Sequence, residues 1–217
     1  MFIFLFQKRR VELFIFDWDG TLWDSPRIFH YFSELAKKLR KQKKLSEKEK
    51  IEIIKELRKK QAQIQKLRKI ESFIYSLVML IFREHPKKYA IKAIKFLKKK
   101  KKKIAIFTDA RRSRVIFYLK KYNIEVDYLV TSREIKNFKP SSLGIELLLF
   151  ATNTKKSEAI MIGDSKEDIL AAKNIGIKSI AIGDGFGSIE ELSQISDFSF
   201  KDFPSFYKWL RRNLSKI

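Results

Sequence analysis

The sequence contains no cysteine, and its 217 residues include only seven glycines and four prolines. Without cysteine, a disulfide scaffold, a thiolate metal site and a cysteine nucleophile are excluded. The low glycine and proline content excludes a fibrous chain, and an apolar content of 45% is too high for a disordered one. The length suits one core of roughly 100–200 residues with a small inserted domain. We expect a reducing compartment and a cytoplasmic location.

Long hydrophobic runs are also scarce. The apolar segment Met1–Phe6 is too short for the core of a signal peptide. Phe73–Phe82 is about half the length that a membrane-spanning helix requires. We therefore expect no membrane association. Residues 1–10 are either an extra edge strand or an overextended start of the chain.

Acidic residues are too few to balance the basic ones: 25 Asp and Glu against 48 Lys and Arg give a formal charge of +23. A basic surface attracts polyanions, so a nucleic-acid-binding protein is one hypothesis. The basic residues are spread along the chain, however, and the one dense run, Lys98–Lys103, precedes a predicted strand. Ligands of open α/β sheets bind at the opposite, carboxyl edge. We therefore favour a solvated lysine-rich surface over a nucleic-acid site.

Short apolar runs alternate with amphipathic helical segments such as Arg112–Tyr122, Ser141–Ala151 and Lys166–Ile175. Nearly continuous apolar strands of this kind are typical of a parallel sheet covered on both faces. The pattern predicts an α/β fold: a Rossmann-like three-layer core with a central parallel sheet. The predicted strands are Leu13–Phe16, Ile104–Phe107, Tyr128–Val130, Ala159–Ile162 and Ser179–Ile182.

Residues 24–85 break the alternation, because they contain helical periodicity and no strand candidate. Ile28, Phe32, Leu35 and Leu39 recur at helical spacing, and Ser46 with Glu49 forms a capping box for a second helix that continues to Leu67. A third, more apolar helix covers Glu71–Glu84. We predict a small all-α cap at 24–85, inserted into a core of residues 1–23 and 86–217.

The first candidate motif places two carboxylates in a glycine-containing turn after the first strand. Alternation along a strand puts Asp17 and Asp19 on the same side. Such a pair can divide the work, one acting as nucleophile and the other as general acid and base. A strand that simply ends in an Asp-rich turn is the structural alternative.

Three further motifs follow predicted strands. Thr108, with Asp109 after it, ends a buried strand, where a hydroxyl and backbone N–H groups can hold phosphate oxygens. Lys139 stands before a helix with Pro140 expected in its first turn, and a lysine there can neutralise an anion. Gly163-Asp164 ends another strand, and hard carboxylate oxygens at such a position suit Mg²⁺.

Asp168 follows Asp164 by four residues and has two interpretations. It can support a metal ion, or it can bond backbone N–H groups at the start of its helix.

Taken in order, these four motifs resemble those of the haloacid dehalogenase superfamily, in particular its phosphoglycolate phosphatase-like members. The matching segments are Asp17–Thr21, Thr108, Lys139-Pro140 and Gly163–Ile169, and Gly183–Gly187 is similar to a glycine-rich loop of the family. The resemblance covers nearly the whole chain outside the insert, whose position between the first two motifs is that of the family's helical cap.

The resemblance implies a phosphatase that uses Mg²⁺ and acts on a small phosphorylated substrate such as phosphoglycolate, pyrophosphate, a sugar phosphate or a nucleotide. Asp17 would attack phosphorus, Asp19 would act as acid and base, and Thr108, Asp109 and Lys139 would hold the phosphate. The implied metal ligands are Asp17, the backbone carbonyl of Asp19, Asp164 and, in support, Asp168.

Several alternatives stay open. A phosphotransferase or mutase would use the same chemistry, and the chain would be a monomer or a homodimer. Asp109 stands where asparagine is usual in the resembled subfamily. Arg27, His30 and Tyr31 could face the site, although the solvent-exposed face of a cap helix is the favoured interpretation.

Overall fold

Six parallel strands form the central sheet in a computed structural model, which describes residues 10–26, 45–61, 73–74, 76–77, 80–81 and 84–217. A separate antiparallel ribbon has two strands. In chain order the strands are β1 (Leu13–Phe16), β2 (Trp23–Asp24), β3 (His85–Pro86), β4 (Lys103–Thr108), β5 (Tyr128–Thr131), β6 (Ala159–Gly163), β7 (Lys178–Ile182) and β8 (Phe198–Phe200). The sheet order is β5-β4-β1-β6-β7-β8.

Helices lie on both faces of this sheet. The described α-helices are α1 (Glu47–Gln61), α2 (Ala90–Lys99), α3 (Arg112–Lys121), α4 (Ser132–Ile135), α5 (Leu143–Thr152), α6 (Lys166–Ile175), α7 (Ile189–Ser193) and α8 (Phe203–Asn213). Residues of α2, α3 and α8 pack into one apolar cluster with the sheet, and residues of α1, α5 and α6 pack into the other. This arrangement confirms the predicted three-layer α/β core.

The sequence of β1 shows why the central strands are apolar throughout. Phe14 and Phe16 belong to the cluster on one face, and Leu13 and Ile15 belong to the cluster on the other. All four side chains are fully buried. Because alternate side chains point to opposite faces, a strand covered on both sides has no polar positions.

The five predicted strands are confirmed, with ends that differ by no more than one residue. The structure corrects three details. β8 extends the sheet beyond β7, and the ribbon of β2 and β3 lies at the two ends of a segment for which we predicted no strand. Pro140 lies in the turn ahead of α5, which begins at Leu143, so it is not part of the first helical turn.

The ribbon joins the two ends of the predicted insert, because Asp24 pairs with His85. Within the insert, α1 begins at the predicted capping box, in which the Ser46 N–H donates to the Glu49 carboxylate at 2.9 Å. The described residues between 73 and 81 are helical. The division into core and cap stays a prediction.

Helix α1 packs against the core. Its residues Ile54 and Leu57 are buried in the cluster that contains α5, and Lys50 forms a 2.9 Å ion pair with Glu146 of α5. Our predictions for residues 1–9, for the first insert helix with Arg27, His30 and Tyr31, and for Ile64 and Leu67 lie outside the described residues. In the part of the chain that is described, no helix is long and apolar enough to cross a membrane.

Strand polarity determines where the candidate residues lie. Phe16 at the end of β1 is in register with Ile106 of β4 and Ile162 of β6, so the residues after these strands meet at the carboxyl edge of the sheet. In the Lys98–Lys103 run, Lys103 is the first residue of β4 and the other lysines precede it. The run therefore lies at the opposite edge, as predicted.

Candidate active site

Lys139 connects two of the four motifs at the carboxyl edge. Its ammonium group donates to Oδ1 of Asp17 and to Oδ1 of Asp168, both at 2.6 Å. Asp17 directly follows β1, Asp168 is in the first turn of α6, and all three side chains are buried. These charge-assisted bonds fix the Asp17 carboxylate relative to α6.

Asp164 follows β6 and is held by neighbours from two loops. The Thr21 hydroxyl donates to its Oδ1 at 2.6 Å, and the backbone N–H of Phe186 donates to its Oδ2 at 2.8 Å. A Cβ atom on Gly185 would lie 2.2 Å from Oδ2 of Asp164. The glycine-rich loop therefore packs directly against this carboxylate, which a larger side chain would displace.

Asp168 fulfils the capping interpretation and also contacts the lysine. Its Oδ2 accepts bonds from the Ser165 N–H at 3.1 Å and from the Ser165 hydroxyl at 2.7 Å, which completes a capping box for α6. Its Oδ1 faces Lys139. The side chain therefore ties the helix start to the site, whether or not it supports a metal ion.

Electrostatics in this cluster favour a bound cation. Burial raises the pKa of Asp17; Lys139 opposes this, and the nearby Asp168 and Asp164 carboxylates raise it further. Burial, together with Asp168, raises the pKa of Asp164 to about 7. Burial by itself would lower the pKa of Lys139, but Asp168 and Asp17 raise it well above its usual value. One ammonium thus faces an excess of carboxylates.

The carboxylates fit a divalent metal ion. Ligand oxygens of Asp17, Asp164 and Asp168 lie within 4.8 Å of one another. Hard carboxylate oxygens suit Mg²⁺, which commonly uses one or two of them and keeps several waters. A divalent cation here would oppose both causes of the raised pKa of Asp17 and Asp164, which are burial and the repulsion between carboxylates. The Asp19 side chain lies outside this cluster, so any metal contact from that residue would come from its backbone carbonyl.

Thr108 ends β4 next to β1, where we predicted a phosphate-binding hydroxyl. Its side chain is buried, and its Oγ1 accepts a bond from the Ala110 N–H at 3.1 Å, which orders the turn after the strand. The carbonyl of Asp109 accepts a bond from Arg133 at 3.1 Å, and the Asp109 carboxylate contributes to the raised pKa of Lys139. Both residues therefore lie at the same sheet edge as Lys139.

Asp19 is held in a different environment from Asp17. The Arg114 guanidinium donates to Oδ2 at 3.0 Å through Nη1 and to Oδ1 at 2.8 Å through Nη2, and the Ser25 hydroxyl also donates to Oδ1. Burial alone would raise the pKa of Asp19, but Arg114, together with Ser25 and Lys139, outweighs burial and lowers the pKa. The two carboxylates of the first motif therefore have pKa values shifted in opposite directions, as expected for groups with different roles.

Arg114, Ser25 and Glu84 were missed by the sequence analysis. Arg114 lies in α3 and is buried despite its charge, as is Glu84, its second carboxylate partner. One sequence signal could have revealed Arg114. Arg114 and Tyr118 are four residues apart and therefore lie on the same face of the helix, and the residues between them are all apolar. A basic residue on an apolar face requires a buried acidic partner.

The fold and the site place the chain among Rossmann-like α/β proteins. Its acidic residues and Lys139 cluster where the central parallel strands end. Ligand sites of open α/β sheets lie at this edge.

Comparison with known sequences identifies the family. The profile of the haloacid dehalogenase-like hydrolases matches residues 14–182, which include all four motifs. The chain belongs to this family, as the motifs predicted.

Curated relatives share part of this sequence. The pyrophosphatase PpaX of Halalkalibacterium halodurans is 30% identical over 105 residues, 47% of this chain and 49% of that protein. The phosphoglycolate phosphatase of Vibrio parahaemolyticus is 42% identical over 55 residues, 25% of this chain and 24% of that protein. The chain thus spans about half the length, or less, of these relatives.

Solved structures show the same fold over a greater length. A HAD-superfamily hydrolase from Ehrlichia chaffeensis superposes with a TM-score of 0.58 at 23% identity, covering 94% of this chain and 98% of that one.

Proposed function

We propose that this protein is a Mg²⁺-dependent phosphatase that hydrolyses a small phosphomonoester through an aspartyl-phosphate on Asp17. The observation that carries the proposal is the Lys139 bridge, which holds a buried carboxylate at the end of β1 beside a cluster suited to a cation. The family membership and the names of the relatives, a pyrophosphatase and a phosphoglycolate phosphatase, support the same chemistry.

In the first step the Asp17 carboxylate attacks phosphorus. The new bond from carboxylate oxygen to phosphorus forms while the bond to the leaving oxygen breaks, and the proton of the Asp19 carboxyl passes to that oxygen. An anionic nucleophile repels an anionic phosphate, so nearby positive charge is needed. Lys139 supplies one such charge 2.6 Å from Asp17, and Thr108 at the neighbouring strand end would bind a phosphate oxygen.

In the second step a water molecule attacks phosphorus and releases phosphate. Its proton passes to the Asp19 carboxylate, and the Asp17 carboxylate leaves. The lowered pKa of Asp19 keeps its carboxylate ionised as this step begins. The negative charge of a bound phosphate would raise that pKa, which the acid role in the first step requires. Burial and the neighbouring carboxylates raise the pKa of Asp17, so the ionised form that attacks phosphorus depends on the positive charge of Lys139 and of a bound cation.

Mg²⁺ would be held by Asp17, the Asp19 backbone carbonyl and Asp164. Asp168 would support this site because it bonds Lys139, which in turn bonds Asp17. The bound ion would neutralise charge on the phosphate and on the buried carboxylates. We extend the proposal to the insert: residues 24–85 act as a cap that excludes water from the site. The pairing of β2 with β3 supports a shared base for both ends of this segment.

The experiment is phosphate release from a panel of phosphomonoesters and pyrophosphate, measured with Mg²⁺ and with excess chelator. We expect release only with Mg²⁺, and the ranking of substrates would define the specificity. Asp17→Asn should abolish turnover of every substrate while the circular dichroism spectrum stays unchanged.

A matched control removes one carboxylate elsewhere. Glu125 is exposed in the loop before β5, at the opposite edge of the sheet. Glu125→Gln should keep the wild-type rate. Turnover by folded Asp17→Asn at a rate comparable with Glu125→Gln would refute the proposal.

A further inference from the structure

Arg114 is the centre of a buried polar network that includes Asp19. Besides its two bonds to Asp19, its guanidinium donates to the Ser25 hydroxyl at 2.9 Å and to both carboxylate oxygens of Glu84. The Tyr118 hydroxyl, one turn along α3, also donates to Glu84. The side chains of Arg114 and Glu84 are 7% and 0% exposed, so these charges depend on each other for their stability.

The partners of Arg114 come from three places in the sequence. Asp19 belongs to the first motif, Ser25 follows β2 where the insert begins, and Glu84 precedes β3 where the insert ends. One guanidinium therefore links the turn that carries Asp19 with both ends of the insert.

Aromatic rings pack against Tyr118, a member of this network. The Trp18 and Trp23 rings stack with centroids 4.6 Å apart, and the Trp23 ring lies 4.7 Å from that of Tyr118. Both tryptophans are buried. These buried rings restrict the Tyr118 ring, whose hydroxyl bonds Glu84, the second carboxylate partner of Arg114.

We propose that Arg114 is a positioning residue whose two-pronged contact fixes the orientation of the Asp19 carboxylate for proton transfer. The contact is bidentate, with each carboxylate oxygen facing its own guanidinium nitrogen, so it fixes both direction and rotation of the group. A lysine would supply one charge without this fork. The inference rests on the proposed phosphatase function.

Loss of the Arg114 contact should affect substrates with an alkoxide leaving group and substrates with a p-nitrophenolate leaving group differently. An alkoxide must receive a proton as the phosphorus–oxygen bond breaks, whereas p-nitrophenolate leaves without one. Misplacing Asp19 therefore slows the first step for an alkyl phosphate but not for p-nitrophenyl phosphate. The second step needs Asp19 as a base for both substrates.

The test is pre-steady-state kinetics of Arg114→Met with both substrates. We expect the steady-state rate with an alkyl phosphate to fall by roughly 100-fold or more, the usual contribution of a general acid. With p-nitrophenyl phosphate the enzyme should release one equivalent of p-nitrophenolate in a burst at nearly the wild-type rate, followed by slow turnover. Arg114→Lys should show a smaller loss with the same dependence on the leaving group.

Arg112→Met is the matched control. Arg112 lies on the same helix and bonds the Leu129 carbonyl at 2.8 Å and Glu134 at 3.2 Å, away from Asp19. It should keep wild-type kinetics with both substrates. Equal losses of both the burst and the alkyl phosphate rate in Arg114→Met would indicate a structural role alone, and unchanged rates would also refute the proposal.

A crystal structure of Arg114→Lys tests the orientation without any assay. We expect the Asp19 carboxylate to rotate away from the position that it has beside Arg114. If wild-type protein released no phosphate from any substrate, the phosphatase proposal would fail, but this structure would still decide the positioning claim. An Asp19 carboxylate in its original position would overturn that claim. If Arg114→Met does not fold because Glu84 loses its partner, the double variant with Glu84→Gln replaces it in the kinetics.

Discussion

The Lys139 ammonium lies 2.6 Å from Oδ1 of Asp17, although the two residues are 122 positions apart in the sequence. Asp17 directly follows the central strand β1, and Lys139 precedes α5. The parallel sheet brings both to its carboxyl edge. This pair is the geometric basis of the proposed nucleophile, because a buried carboxylate near other carboxylates needs a cation to stay ionised.

Lys139→Met should reduce turnover strongly. Removing one preorganised charge from an active site typically costs roughly 100- to 1,000-fold in rate. The change also leaves Asp17 and Asp168 without their shared cation, so we expect a loss of about 3 kcal/mol in the free energy of unfolding of the metal-free protein. Steady-state kinetics and urea unfolding with chelator measure the two effects.

Lys136→Met is the control for this prediction. Lys136 is exposed and lies three residues before Lys139. Its replacement should change neither the rate nor the midpoint of unfolding. A Lys139→Met enzyme as active as Lys136→Met would contradict the assigned role of Lys139.

Mg²⁺ should stabilise the protein more as the pH rises. The pKa of Asp164 is raised to about 7, and that of Asp17 is raised as well, whereas both groups ionise near pH 4 in an unfolded chain. A raised pKa in the folded state gives stability that is present in acid and is lost as the pH rises through the folded-state value. The metal-free protein therefore loses this contribution between about pH 4 and pH 7.

Thermal unfolding at pH 5.5 and pH 8, each with Mg²⁺ and with chelator, measures this effect. Mg²⁺ binds the ionised carboxylates, so the difference in Tm between the two conditions should be larger at pH 8. A difference that stays constant or shrinks with pH would contradict the assignment of Asp17 and Asp164 as ligands.

Gly185→Ala should weaken metal binding. The added Cβ would lie 2.2 Å from Oδ2 of Asp164, so the carboxylate or the loop must move. Displacing a residue that orients a metal ligand usually costs roughly 10- to 100-fold in metal affinity or activity. The Mg²⁺ concentration for half-maximal activity should therefore rise by at least about tenfold.

Gly176→Ala separates this effect from general strain. Gly176 ends α6 with a φ of 77°, and a Cβ there would meet no atom within 4 Å. We expect a loss of roughly 1 kcal/mol in stability from the left-handed backbone, without any change in the Mg²⁺ requirement. The same Mg²⁺ requirement in both variants would show that Gly185 has no special relation to Asp164.

The sequence was sufficient to predict the strands that position the site. Leu13–Phe16 was predicted with its observed ends because four consecutive apolar residues between polar ones occur in a strand buried on both faces. Residues that directly follow such strands could be placed at one edge for the same reason. β2 and β3 could not be predicted, because a two-residue strand is defined by its partner and has no periodicity of its own.

Arg114 is difficult to predict for a different reason. It is one of 48 basic residues, most of which are expected on the surface. Its burial depends on two carboxylates that lie 95 and 30 positions away in the sequence. Only the folded chain brings these charges together.

Chemical trapping of the intermediate on Asp17 tests the proposed mechanism most directly. A brief reaction with substrate and Mg²⁺, followed by acid quenching and borohydride reduction, converts an aspartyl-phosphate to homoserine. Mass spectrometry of the peptide that contains residue 17 should then show homoserine at that position in the wild-type protein and not in Asp17→Asn. Phosphate release without homoserine at residue 17, or with homoserine at another aspartate, would contradict the proposed mechanism.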